Sequence, residues 1–110
     1  MTIRKIRPGE WSAYFDGISH QMAEGDEGWS ADIEVFLSES GDQQEATHIP
    51  LQGITYDRRD NRLEIASDDL RHMIVHPREI WADPGDRSPP DLLLVVREDG
   101  TRESVVLKRQ

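Results

Sequence analysis

The sequence has no cysteine among its 110 residues. The chain therefore cannot form disulfides, use a thiolate nucleophile or bind zinc through cysteines. A chain of this size still buries roughly two-thirds of the surface that its unfolded form exposes. We therefore predict one domain over residues 1–110 that is stabilised by a hydrophobic core.

Long apolar runs are also missing. The longest is Leu92-Leu93-Leu94-Val95-Val96, which is strand length, whereas a membrane helix needs about 20 apolar residues. The basic N-terminus is not followed by an apolar signal segment. We expect a cytoplasmic protein without membrane contact.

Basic residues are absent from a long part of the chain. Residues 8–57 carry 11 acids and no Lys or Arg, while residues 1–7 carry three bases and residues 58–110 carry 10 bases and 11 acids. The formal net charge is −9. Such a field repels nucleic acid and anionic membranes, so we predict binding to neither.

Two apolar periodicities follow one another along the chain. The first has helical spacing and consists of Trp11, Tyr14, Phe15, Ile18 and Met22. From residue 31 the period is two, which is typical of strands. We predict strands at residues 33–37, 49–56, 63–65, 80–82, 92–97 and 102–108, with a bend or close backbone approach at Gly53, and a mobile loop at 38–46. A turn is predicted at 25–28, where Gly25 ends the first helix. A short helix begins after Ser67, with Asp68 and Asp69 in its first turn, and ends at His76.

These elements predict an α+β fold. Its N-terminal amphipathic helix packs on a curved antiparallel β-sheet, or on a small open barrel, of five to six strands. Residues 92–96 are apolar on both faces, so we expect this strand to be central. Asp99-Gly100 predicts the hairpin that follows it.

The densest group of functional side chains lies at residues 72–81. His72 and His76 have the spacing of metal ligands on a helix, but Pro77 removes His76 from helical geometry and no third ligand is evident. Arg78 offers a planar donor for carboxylate or phosphate, and Trp81 an aromatic wall. We name His72, His76, Arg78 and Trp81 as candidate binding residues. The favoured alternative is that Trp81 packs over one face of the sheet and that Arg78 forms an ion pair with an acidic residue.

Catalytic motifs are not present. There is no phosphate-binding glycine loop and no nucleophile elbow, and we predict no catalytic residue, metal or cofactor. Trp29, between Gly28 and Ser30, fits neither the helical nor the strand periodicity of apolar residues. It either closes the end of the core or anchors a partner.

Several segments together resemble a family of small bacterial proteins known as a domain of unknown function. They are Trp11-x2-Tyr14-Phe15-Asp16, Pro50-Leu51-x-Gly53-Ile54-x-Tyr56-Asp57, Leu63-x-Ile65, His76-Pro77-Arg78-Glu79-Ile80-Trp81 and Asp99-Gly100-Thr101. The resemblance implies a stand-alone domain and carries no activity, cofactor or catalytic residue with it.

The function expected from the sequence is a non-enzymatic accessory or protein-interaction module that contacts a protein partner or a second copy of itself. Strand edges available for pairing favour it. The alternative is a small-molecule or enzymatic site around residues 72–81, which requires the four candidate side chains to converge on one pocket.

Overall fold

The predicted amphipathic helix is present in the computed structural model, which describes residues 2–25, 28–68 and 70–109. A short 3-10 helix, Pro8–Glu10, leads into α1, Trp11–Glu24. Four residues of the apolar stripe are buried and Tyr14 is partly buried against the core, so the prediction is confirmed. Within the described residues, no helix combines the length and apolar character needed to cross a membrane.

The strands of the described residues form two antiparallel sheets. They are β1 (Arg4–Ile6), β2 (Trp29–Phe36), β3 (Gln43–Leu51), β4 (Gly53–Asp57), β5 (Arg62–Ala66), β6 (Arg71–Val75), β7 (Pro77–Asp83), β8 (Leu92–Arg97) and β9 (Arg102–Arg109). One sheet has six strands in the order β1-β7-β8-β9-β2-β3, and the other has three in the order β4-β5-β6. The α+β class with a helix packed on an antiparallel sheet is confirmed, but the sheets do not close into a barrel.

The helix covers one edge of the three-stranded sheet. The Ser19 hydroxyl accepts a hydrogen bond from the Ile54 N–H at 2.9 Å and donates one to the Ile54 carbonyl at 2.6 Å. A Cβ at Gly53 would lie 3.2 Å from the Ser19 Oγ, which explains glycine at this close approach. The outward N–H and carbonyl of Ile54 on this edge are thereby satisfied by a side chain of α1.

The C-terminal hairpin is the part of the sheet that local sequence predicted best. β8 pairs with β9 through the Asp99-Gly100 turn, in which Gly100 has a φ of 88°. β8 also pairs with β7, so its central position is confirmed.

The short helix predicted after Ser67 is wrong. Residues 71–75 form β6, which pairs with β5. Ser67 instead closes a tight turn, because its N–H donates to the Leu70 carbonyl at 2.9 Å. Asp69, expected in the first helical turn, lies outside the described residues. The apolar residues that fit a helical face are also consistent with a strand, in which Ile74 is buried and Met73 exposed.

The region between residues 38 and 56 also differs from the prediction. Residues 43–46, expected in a mobile loop, belong to β3, and the single strand predicted at 49–56 is divided between β3 and β4, which lie in different sheets. The break falls at Gln52, next to the bend expected at Gly53. The turn predicted at 25–28 includes Asp26 and Glu27, which lie outside the described residues.

Gly17 offers a direct test of the helix. It lies in α1, is exposed, and no atom lies within 4 Å of a Cβ built on it. We expect Gly17→Ala to raise the free energy of unfolding by about 0.5–1 kcal/mol, because glycine is the poorer helix former. Urea denaturation measures the change. The matched control is Gly53→Ala, which should be destabilising because of the Ser19 contact. A loss of stability in Gly17→Ala would contradict a formed helix here.

Candidate functional site

His72 lies in β6 and joins the two sheets. Its Nε2 atom is 2.6 Å from Oε1 of Glu103, a residue of β9 that is only 1% exposed. This distance is that of a hydrogen bond between the imidazole ring and the carboxyl group. The other carboxylate oxygen of Glu103 lies 3.7 Å from Nη1 of Arg97. His72, Glu103 and Arg97 therefore form a polar bridge between the sheets.

His76 acts through its backbone. Its φ is 52°, a left-handed conformation that is uncommon outside glycine but is adopted more often by asparagine, aspartate and histidine than by other residues. Its N–H donates to the Asn61 carbonyl at 2.8 Å and its carbonyl accepts from the Glu98 N–H at 2.9 Å. His76 thus connects the turn before β5 with the turn after β8, while its side chain is exposed.

Arg78 and Trp81 meet at Glu79. The Trp81 Nε1–H donates to Oε1 of Glu79 at 3.2 Å, and the Arg78 Nε lies 3.6 Å from Oε2. The Lys5 Nζ lies 5.6 Å from the centre of the Trp81 ring, which places a cation over an aromatic face.

The four candidate residues do not gather in one place. His72 reaches the inner side of the six-stranded sheet, since its partner Glu103 is buried there. Trp81 alternates with buried Ile80 and Ala82 and so lies on the outward side. A ligand site that uses all four residues stays a prediction. Among the described residues, no group of three or more His, Asp or Glu side chains is placed to hold a metal ion.

The outward side of the six-stranded sheet has an apolar centre, which we call the outer patch. Its side chains are all partly exposed, and none of them belongs to the buried core or packs against it. An antiparallel sheet with one free face normally places polar residues there. The outer patch consists of Phe36, Trp81, Leu92, Leu94, Val96 and Val106.

The strand register arranges the outward side of β1, β7, β8, β9 and β2 in three rows, each listed in that order of strands. The upper row is Glu79, Val96, Arg102, Phe36. The middle row is Lys5, Trp81, Leu94, Ser104, Glu34. The lower row is Asp83, Leu92, Val106, Asp32.

The charged residues in these three rows are mixed in sign. The basic ones are Lys5 and Arg102, and the acidic ones are Asp32, Glu34, Glu79 and Asp83. Their formal sum is −2, whereas the whole chain carries −9.

Two charged residues at the rim differ in their pairing. The Asp32 carboxylate accepts from the His48 N–H at 2.9 Å and from Lys108 Nζ at 2.6 Å. These hydrogen bonds, that of His48 first, lower the pKa of Asp32. Arg102, by contrast, has no ion pair or hydrogen bond from its side chain to any other described residue. It borders a groove of about 300 Å³ that is lined mainly by Phe36, Leu94 and Val96.

Trp29 is the first residue of β2 rather than part of a loop. It packs against the core, and the Arg109 guanidinium lies 5.1 Å from its ring centre. Of the two roles considered for Trp29, closing the end of the core fits this position.

Sequence reasoning missed Glu103, Arg97 and the outer patch. Glu103 alternates with Val105 and Leu107, so an acid at an inward position of β9 was the available signal. The outer patch was visible as the apolar outward residues of 92–96, which were attributed to the central position of this strand.

Comparison with known proteins supports the resemblance noted in the sequence. A family model described as "Family of unknown function (DUF5335)" matches residues 2–110. A protein of Aquifex aeolicus (strain VF5), described as "Uncharacterized protein", is 32% identical over 109 residues, which cover 98% of this chain and 94% of that protein. No solved structure matches the chain.

Proposed function

Because this chain belongs to the family of unknown function DUF5335, we propose its role from its geometry: it is a non-enzymatic protein-interaction module. The interaction is made by the outer patch, on the outward side of the six-stranded sheet. The uncovered apolar centre of that face is the observation that carries the proposal.

The outer patch offers apolar area that a partner can remove from water. Six partly exposed apolar side chains lie next to one another on three neighbouring strands and on β2. Contiguous apolar surface of this kind is typical of protein interfaces, because its removal from water favours association. Aromatic residues such as Trp81 and Phe36 are also enriched in the energetic centres of interfaces.

The alternative, a small-molecule or enzymatic site around residues 72–81, receives less support. It requires His72 and Trp81 to line one cavity, and their side chains lie on opposite sides of the six-stranded sheet. The protein-interaction proposal needs no such convergence.

Site-specific photo-crosslinking tests the proposal. A photoreactive residue at position 94 should crosslink to protein in extract of the native cells, whether to another protein or to a second copy. The matched control is position 55, because Thr55 is exposed on the three-stranded sheet away from the outer patch. Equal yields at the two positions, or none at 94, would contradict the proposal.

A further inference from the structure

We infer that the occupant of the outer patch is a second copy of this chain, related by a two-fold axis that runs parallel to β8. The inference rests on the proposed function and names the partner. It follows from the strand register, because the register fixes which residues face one another when two such sheets stack.

The rotation exchanges the strands on either side of β8. β8 faces β8 of the second copy, β7 faces β9, and β1 faces β2, while each residue keeps its row. Leu92, Leu94 and Val96 then lie near the axis, and each meets the same residue of the second copy. A two-fold interface requires this self-complementarity.

Trp81 gains a matching cavity in this arrangement. It lies in the middle row on one side of β8, and Ser104 lies in the same row on the other side. Ser104 lines the groove of about 300 Å³. Each Trp81 therefore enters the groove of the other copy, and the contact occurs twice.

The charges are complementary as well. Glu79 and Arg102 share the upper row on opposite sides of β8, so Glu79 faces Arg102 of the second copy. Lys5 and Glu34 share the middle row, so Lys5 faces Glu34 of the second copy. Arg102, which has no side-chain partner among the described residues, thereby gains one.

The face is large enough for a small specific interface. Five strands of each copy overlap, since β3 has no strand opposite it. Their 32 residues, at roughly 4.8 Å between strands and roughly 3.3 Å per residue, give roughly 500 Å² per copy, or roughly 1,000 Å² for two. This total is at the lower limit for a specific protein interface. The pairing of basic with acidic residues across the interface also limits repulsion between two chains that each carry −9.

A rival mode of self-association is pairing of the free β6 edges. The Leu70 carbonyl and the His76 N–H form hydrogen bonds to residues at the two ends of β5. Alternate residues of an antiparallel strand face its partner, so the N–H groups of Arg71, Met73 and Val75 point away from β5. Met73→Pro removes one outward N–H without removing a bond to β5. Met73→Lys blocks the same edge by charge and serves if the proline variant does not fold.

Sedimentation equilibrium of the purified chain tests the inference. The wild type should have twice the mass of the 12.6 kDa chain. Leu94→Asp should weaken the dimer by on the order of a hundred-fold or more, because two carboxylates then face each other at the axis. Leu92→Asp repeats the test in another row. Met73→Pro and Met73→Lys should leave the dimer intact.

Charge reversal tests the axis itself. Arg102→Glu should weaken the dimer by roughly ten- to hundred-fold, because it faces Glu79 of the second copy twice. Adding Glu79→Arg should restore most of the affinity.

Two results overturn the inference. One is a dimer that is lost in the Met73 variants but kept in Leu94→Asp. The other is a double variant, Arg102→Glu with Glu79→Arg, whose affinity is not restored. A monomeric wild type overturns it too. If position 94 then still crosslinks to another protein, only the identity of the partner is wrong. If it crosslinks to nothing, the proposed function fails as well.

Discussion

Replacing Glu103 with alanine lowers the free energy of unfolding by about 1–3 kcal/mol, the usual cost of leaving partly buried polar groups without a hydrogen-bond partner. Glu103 is 1% exposed, and in the register it lies between Val95 and Val35. Its carboxylate is the partner of both His72 and Arg97. In the alanine variant these two side chains lose the carboxylate as a partner. Urea denaturation followed by circular dichroism measures the loss of stability.

Two variants separate the polar bridge from general effects of mutation. Glu103→Gln keeps the shape and one acceptor oxygen, so its loss should be smaller than that of the alanine variant. Glu98→Ala changes an exposed acid in the adjacent turn and should stay within about 0.5 kcal/mol of wild type. A loss below about 1 kcal/mol in Glu103→Ala would mean that the carboxylate does not bridge the sheets.

Phe15→Ala should cost about 3–5 kcal/mol, the range for truncating a buried phenylalanine. Phe15 is fully buried in α1 and makes an edge contact with Tyr14, the ring centres being 5.2 Å apart. The loss is a large part of the 5–15 kcal/mol that stabilises an ordinary domain. Thermal and urea unfolding both report it.

The neighbouring residue supplies the control for Phe15. Asp16 is exposed on the same helix, and Asp16→Ala should change stability by no more than about 0.5 kcal/mol. If Phe15→Ala does not fold, Phe15→Leu retains most of the apolar volume and should lose about 1–2 kcal/mol. Equal stabilities for the Phe15 and Asp16 variants would show that the apolar stripe of α1 does not face the core.

Local patterns predicted the helix and the last hairpin correctly. The stripe from Trp11 to Met22 repeats over three turns, so its period is unambiguous. Asp99-Gly100 between two apolar runs determines a hairpin through residues that are close in sequence. Both elements depend on information within a few residues of themselves.

Short segments were predicted less well because distant contacts decide them. The spacing of Leu70, Met73 and Ile74 fits one turn of helix as well as a strand of five residues. Pairing with β5 and the His72–Glu103 contact favour the strand. Neither contact is visible in a local period.

The candidate site shows the same limit. Alternation placed Leu94 and Val96 on one side of a strand and Leu93 and Val95 on the other, and this was available from the sequence. Whether a layer covers the outward side depends on where α1 and the three-stranded sheet pack. They lie on the inner side, where Leu93 and Val95 are fully buried, and the outer patch stays open within the described residues.

The most direct test is a filtered nuclear Overhauser experiment on an equal mixture of isotope-labelled and unlabelled chain. It detects only contacts between copies. The two-fold arrangement along β8 predicts contacts from the Trp81 indole to the Cβ protons of Ser104, residues whose strands lie roughly 10 Å apart within one chain. Contacts from Leu70 or Met73 instead, or no contacts between copies, would contradict it.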